Sequence, residues 1–286
     1  MIDLHTHSIF SDGTCTPTEI INKAEKLNMK AVALTDHNTL AGVREFVEAA
    51  EGKCVEAICG VEISTSYKDR EIHVVGLFLP VNGTKELNEL LAEQAKIKEI
   101  STIKTIKKLN THGYNISYEK ILSENPCGSI NRTHIAKELM EAGYIGSIRE
   151  AFYTLLNPNY GYFKEMKKPK TADVINLIKR AGGTSVIAHP LSKPTNAVIY
   201  DFLKSSVSQN LDAIEVQYGG FTRSEQIMAH KIAKRFGLLE STGSDFHGEN
   251  KPDIKLGTGI NYNMHADDSI LELLRERAIT QYAVKH

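Results

Sequence analysis

Short apolar runs and longer amphipathic stretches alternate at the start of the chain. "MIDLHTH" reads as a short strand. "CTPTEIINKAEKLN" has helical spacing, with Thr16 as cap, Pro17 in the first turn and Glu19 completing a T-x-x-E capping box. "KAVALTDH" is an apolar run ending in polar groups, the pattern of a buried parallel strand. A second helix, "LAGVREFVEAAEG", follows Thr39, and strands are predicted in "CVEAICGVEIS" and "REIHVVGLFLP". The short connections predict an α/β fold with parallel strands.

After Pro80 the alternation stops. Residues 84–162 read as helix after helix, punctuated by Gly113, Gly128, Gly143 and Gly161. It then resumes with helix "TADVINLIKRAG", strand "GTSVIAHP", helix "NAVIYDFLKSSVSQN", strand "LDAIEVQY", helix "TRSEQIMAHKIAKRFG" and strand "LLESTGSDFHG". A last helix is predicted from about Asp267 to Arg277. The pattern implies a discontinuous α/β domain, residues 1–83 and 163–286, interrupted by an all-helical insert at 84–162.

Composition narrows the function class. The 286 residues are 41% hydrophobic and 24% charged, as in a globular protein, and the formal net charge is -1. Such a balance gives no whole-protein field for duplex DNA or anionic membranes. No apolar run approaches the roughly 20 residues of a membrane span. The first residues carry Asp3, His5 and His7 in place of a basic start and apolar signal region, so a cytoplasmic protein is expected. No obligatory protein partner is indicated. Cys15, Cys54, Cys59 and Cys127 form no C-x-x-C pair and read as buried, reduced thiols.

The polar residues that can bind metal fall at one kind of place. His5 and His7 end the first strand, His37 the second and Glu62 the third; His73 lies in the fourth. His189 ends "SVIAH", and Asp245 and His247 end "STGSDFH". In an α/β barrel such strand ends converge on one mouth. His5 and His7 share a strand face, Asp245 and His247 repeat that spacing, and Asp12 can reach in from the first loop. Unpartnered, so many polar groups on apolar strands would be too costly to desolvate, and a metal cluster removes that cost. His112, His230, His265 and His286 read instead as surface or satisfied residues, and Asp36 as a supporting group. The donor set lacks thiolate, which excludes a Cys-rich structural zinc site and suits zinc, manganese or iron. Nine donors fit three divalent ions with at least one bridging carboxylate.

"DLHTHSIFSDGT", "ALTDHNT", "GVEIS", "IHVVG", "IAHP" and "GSDFHG" together resemble the PHP (polymerase and histidinol phosphatase) family from residue 1 to about 260. The resemblance implies a distorted (β/α)7 TIM-like barrel around a trinuclear metal centre. It implies one ion on His5, His7, Glu62 and Asp245, a second on Asp12, His37 and His247, and a third on His73 and His189 with Glu62 bridging. "SINRTHIAKEL" is similar to the R-x-H segment of small stand-alone phosphoesterases, which reaches over the metal site to bind substrate phosphate. By that likeness Arg132, Thr133 and His134 are substrate contacts, and Lys193 stands where relatives often carry arginine. Arg132 is apt, since its planar fork matches a phosphate bidentately.

The expected chemistry is metal-assisted phosphoester hydrolysis, with hydroxide generated between two ions, Asp12 and His37 holding the neighbouring ion, and Arg132 and His134 acting on phosphate. The implied substrate is a small phosphorylated compound: a nucleoside 3',5'-bisphosphate, or short RNA hydrolysed from its 5' end. Two rivals are a histidinol-phosphate-type phosphomonoesterase and a metal-binding regulatory module without turnover.

Overall fold

The computed structural model describes residues 1–127, 130–164, 166–192, 195–205 and 208–283. Gly128, Lys193 and His286 lie outside the described residues. The chain divides into two compact units, residues 1–88 with 168–286 and residues 89–167.

In the larger unit seven strands form one sheet in sequence order. They are β1 (Ile2–Asp3), β2 (Ala31–Leu34), β3 (Glu56–Tyr67), β4 (Arg70–Leu77), β5 (Thr184–Ile187), β6 (Ala213–Tyr218) and β7 (Leu239–Gly243). The sheet closes into a barrel just past β1 and β7. Leu4 N donates to Thr242 O at 3.1 Å, Asp245 N to His5 O at 2.9 Å and His7 N to Phe246 O at 2.9 Å.

Not all the strands are parallel, as the sequence pattern had implied. β4 runs antiparallel to both β3 and β5. Lys68 (φ 48°) and Asp69 (φ 59°) form a two-residue turn between Tyr67 and Arg70. Two left-handed residues match a type I′ hairpin, whose twist suits the flanking strands. No crossover helix is needed between β3 and β4, and His73 lies near the start of its strand at the mouth, not at a strand end.

The helices of this unit are α1 (Pro17–Lys26) and α2 (Val43–Ala50), then α7 (Thr171–Arg180), α8 (Ile199–Lys204), α9 (Arg223–Phe236) and α10 (Ser269–Ala283). Thr16 and Glu19 form the expected capping box at α1. Ile20, Ile21 and Ala24 of α1 pack with Val43 and Phe46 of α2 on Val32 and Leu34 of β2. Ile2, Leu4, Ala31, Ala33, Ile58, Val75, Leu77 and Val186 form a second cluster, joined by Leu271 and Leu274 of α10. Each large apolar side chain buried this way contributes roughly 1.5–3 kcal/mol. α10 runs on to Ala283, past the end its sequence pattern suggested.

The smaller unit is helical, with most of α3 (Lys85–Thr111), then α4 (Tyr118–Glu124), α5 (Arg132–Glu141) and α6 (Ile148–Tyr153). It has its own core of Ile106, Leu109, Ile116, Ile121, Ile135 and Leu139. Of the cysteines, all free, Cys15 and Cys59 are buried, but Cys54 and Cys127 are exposed. Cys54 precedes β3, so the apolar run around it is shorter as a strand than it reads. No helix among the described residues is long and apolar enough to cross a membrane.

Candidate metal centre

The strand segments that close the barrel bring the first and last histidines together. The Nε2 atoms of His5 and His7 lie 3.0 Å apart, confirming that both rings share a face. His7 stacks on His247 at 4.2 Å between centroids, and its Nε2 is 3.2 Å from Asp245 Oδ1. Asp245 has φ 61°, yet residues 245–247 stay paired with residues 5–7. His37 sits opposite Glu62 because the pairing of β2 and β3 continues past Leu34: Glu62 N donates to Thr35 O and Asn38 N to Glu62 O.

Glu62 is the centre of the cluster. Its Oε2 lies 2.8 Å from His37 Nδ1 and 3.4 Å from the Nε2 of both His5 and His7. Its Oε1 lies 2.9 Å from His73 Nδ1 and 3.0 Å from His189 Nε2. Asp12 Oδ1 forms another focus, 3.2 Å from His247 Nε2, 3.7 Å from His37 Nε2 and 3.9 Å from His7 Nδ1. All nine strand-end and loop residues are thus gathered. Among the described residues, three groups within this cluster have ligand atoms mutually close enough for one cation: His7, Asp12, His37 and His247; His5, His7 and Asp245; and His37, Glu62 and His73. His7 and His37 are each shared between groups, so the sets overlap more than the division implied by resemblance. His5, His7 and Glu62 are fully buried, whereas Asp12, His37, His73 and His189 are 15–22% exposed. The cluster is therefore open on one side.

Hydrogen bonding supports a cation here. Among the described residues, four buried side-chain nitrogen or oxygen atoms lack a hydrogen-bond partner, and three are Asp12 Oδ1, His37 Nδ1 and Glu62 Oε2. His37 Nδ1 and Glu62 Oε2 are close but not aligned for a hydrogen bond. Leaving such groups unsatisfied costs about 1–3 kcal/mol each, more when charged. Divalent cations held by the cluster would satisfy these atoms, and the 3.0 Å between the His5 and His7 nitrogens lets both face one ion.

The charges agree. Burial opposes ionisation of Asp12, but His37, His247 and His7 outweigh it and hold the carboxyl well below its usual range. Burial likewise opposes ionisation of Glu62, and His37, His73 and His5 overcome it. Burial lowers the proton affinity of His73, yet Glu62 and Glu71 lift it to about 10. Burial, with His247 and His37, drives His7 the other way, well below the imidazole range. The carboxylates therefore stay charged and demand cations, and without metal the raised His5, His73 and His247 would carry the balancing protons.

The outer contacts were mostly invisible in the sequence. Glu215 accepts from His5 Nδ1 at 2.8 Å, and Glu71 lies 3.2 Å from His73 Nε2 and 3.3 Å from Lys168 Nζ. Asp245 Oδ2 accepts from Tyr218 Oη at 2.8 Å and Lys251 Nζ at 2.5 Å. A charged residue between buried neighbours in "AIEVQY" was the one available signal for Glu215. Asp36 turns away from the cluster and accepts from Ser8 N, Ser8 Oγ and Ser11 Oγ, a supporting role. His112, His230 and His265 are exposed.

Arg132, Thr133 and His134 open α5 in the helical unit. Asn131 caps that helix, accepting from Thr133 N at 2.9 Å and His134 N at 3.2 Å. The Asn131 N–H donates to His134 Nδ1 at 3.2 Å, completing a reciprocal box. The Arg132 guanidinium lies 4.7 Å from the Phe163 ring centroid and 5.3 Å from that of Phe152. Three glutamates of this unit, Glu124, Glu138 and Glu141, also lie close together, but Lys120 Nζ already sits within 4 Å of each.

Residues 3–249 match the PHP domain. The chain is 34% identical over 252 residues to a 5'-3' exoribonuclease of Haemophilus influenzae, covering 86% of this chain and 89% of that one. It is 31% identical over 264 residues to a 3',5'-nucleoside bisphosphate phosphatase of Chromobacterium violaceum, covering 88% and 90%. A solved structure from Bifidobacterium adolescentis, assigned as a metal-dependent phosphoesterase, superposes with a TM-score of 0.80 at 29% identity over 96% of both chains. The sequence motifs, the closed seven-stranded barrel and these likenesses agree: the chain belongs to the PHP domain family and has its metal-dependent phosphoesterase fold.

Proposed function

We propose that this protein hydrolyses a phosphate ester of a nucleotide, either a nucleoside 3',5'-bisphosphate or the 5' end of a short RNA. The observation that carries the reading is Glu62, a fully buried carboxylate whose two oxygens face separate sets of imidazoles at the open end of the barrel. The named activities of the two relatives supply the substrate class.

His5, His7, Glu62 and Asp245 would hold one divalent ion, Asp12, His37 and His247 a second, and His73 and His189 a third with Glu62. Manganese, zinc and iron all suit the donors. Ions bound there supply Lewis acidity toward water and phosphate oxygens. Arg132 binds the substrate phosphate through its guanidinium fork, which the Phe152 and Phe163 rings orient. Thr133 adds a hydroxyl contact, and Lys193 a point charge. His134 Nδ1 accepts from a main-chain N–H, so the neutral ring carries its proton on Nε2. That proton can pass to the departing alkoxide. A cytoplasmic setting suits the free thiols.

The test is a substrate panel with added manganese: 3',5'-bisphosphoadenosine, a 5'-phosphorylated oligoribonucleotide and histidinol phosphate. Turnover of either nucleotide substrate well above histidinol phosphate is expected. Preference for histidinol phosphate would move the chain to the phosphomonoesterase class, and no turnover of any phosphoester would end the enzymatic reading.

A further inference from the structure

We infer that Glu215 is the positioning residue that fixes one imidazole in each of two ion sites. The inference rests on the metal-holding reading above. Glu215 lies on β6, its side chain 2% exposed, and both its oxygens are committed. Oε1 accepts from His5 Nδ1 at 2.8 Å, and Oε2 accepts from the main-chain N–H of His189 at 2.5 Å. One carboxylate thus holds a residue from past the end of β1 and another from past the end of β5.

Each grip has a distinct consequence. A carboxylate can only accept, so His5 carries its proton on Nδ1. The Nε2 lone pair is then left for the cluster, where it faces His7 Nε2 at 3.0 Å and Glu62 Oε2 at 3.4 Å. His189 has φ 32°, a region that residues with side chains rarely adopt. The bond to its N–H holds that conformation, from which His189 Nε2 lies 3.0 Å from Glu62 Oε1. β7 leaves room for the arrangement through Gly243. A Cβ there would fall 2.2 Å from His5 Cβ and 2.6 Å from Glu215 Oε1. Among the described residues, Glu215 makes no hydrogen bond or ion pair to Asp12, His37 or His247. Its influence should divide the cluster accordingly.

The protein is stripped with a chelator, and manganese binding is then titrated for wild type, Glu215→Gln, Glu215→Asp and Asp212→Asn. Glutamine keeps the size of Glu215 but turns an amide NH2 toward a donor. We expect Glu215→Gln to weaken the ions on His5 and His189 by about 10–100-fold, the range for outer contacts of metal ligands. The ion on Asp12, His37 and His247 should keep its wild-type affinity. Glu215→Asp, which keeps the acceptor oxygens but shortens their reach, should give the same split, and decides the matter if Glu215→Gln does not fold. Asp212, a buried carboxylate that accepts from Ser185 N and Oγ, is the structural control. Its variant should melt earlier with unchanged ion content. If wild type binds ions and Glu215→Gln binds as many as tightly, this inference is overturned and the metal reading stands. Uniform weakening of every ion, with a melting shift like that of Asp212→Asn, also overturns it. If wild type itself binds none, the metal reading fails first.

Discussion

The barrel unit and the helical unit treat their functional side chains in opposite ways. In the barrel, Asp12 Oδ1, His37 Nδ1 and Glu62 Oε2 are buried without hydrogen-bond partners, although charged neighbours crowd around them. In the helical unit the candidate phosphate contacts are engaged locally: Asn131 and His134 cap each other, and Arg132 lies against two phenylalanine rings. The first arrangement is incomplete without cations. The second holds its shape from its own chain. Ion binding should therefore govern the barrel site and leave the helical segment unchanged.

The largest effect should come from removing the carboxylate that both histidine sets share. Glu62→Ala should lower kcat/KM by at least roughly 10³-fold, since several kcal/mol of charge stabilisation depends on it, and should reduce bound metal in the same sample. Full metal content in that variant would break the comparison. Next is Arg132→Ala, expected to lower kcat/KM by about 10–100-fold, mainly through KM, with metal content untouched. Arg132→Lys should recover only part of this, because lysine lacks the fork. A loss of metal in the Arg132 variants would show that the two regions are not separable in this way.

A smaller, graded effect is expected with pH. Burial alone would lower the His73 pKa, but Glu62 and Glu71 raise it to about 10. His5 is raised too: burial opposes its charge, and Glu215 and Glu62 prevail. Below about 10 the His73 ring is protonated, His5 likewise holds its proton above the usual imidazole range, and these protons must leave before an ion binds. Apparent manganese affinity should therefore rise with pH, about tenfold per unit for each proton displaced, and titrations at several pH values should show matching proton release. A flat profile would refute it. The smallest effect is Asn131→Ala, which should lower stability by about 1 kcal/mol through loss of the helix cap, read as a shift in thermal melting.

Much of the barrel was legible because its strands are apolar runs that end abruptly in polar groups. "ALTDH" and "SVIAH" announce both a strand and the residue it delivers to the mouth. The direction of β4 was not legible, because an apolar run reads the same either way and Lys68–Asp69 is a poor hairpin signal beside Asn-Gly. Glu215 was overlooked because a single glutamate in "AIEVQY" also fits a strand with one wet face, and only the closed barrel makes that face interior. Cys54 misled for a related reason: apolar neighbours in sequence do not show where pairing starts. The role of His134 as half of a capping box was hidden because such boxes usually carry glutamate or glutamine at that position.

The closure of the barrel also bears on when the protein can mature. Asp3 accepts from Ser244 N at 2.9 Å across 241 residues of sequence, and His7 meets Asp245 in the same seam. Joining such distant segments is slow compared with forming local contacts. A nascent chain emerging from the ribosome holds His5, His7, Asp12, His37 and Glu62 early but lacks Asp245 and His247 until almost all of the barrel has been synthesised. Any ion that needs Asp245 or His247 would therefore be bound last, after the seam has closed.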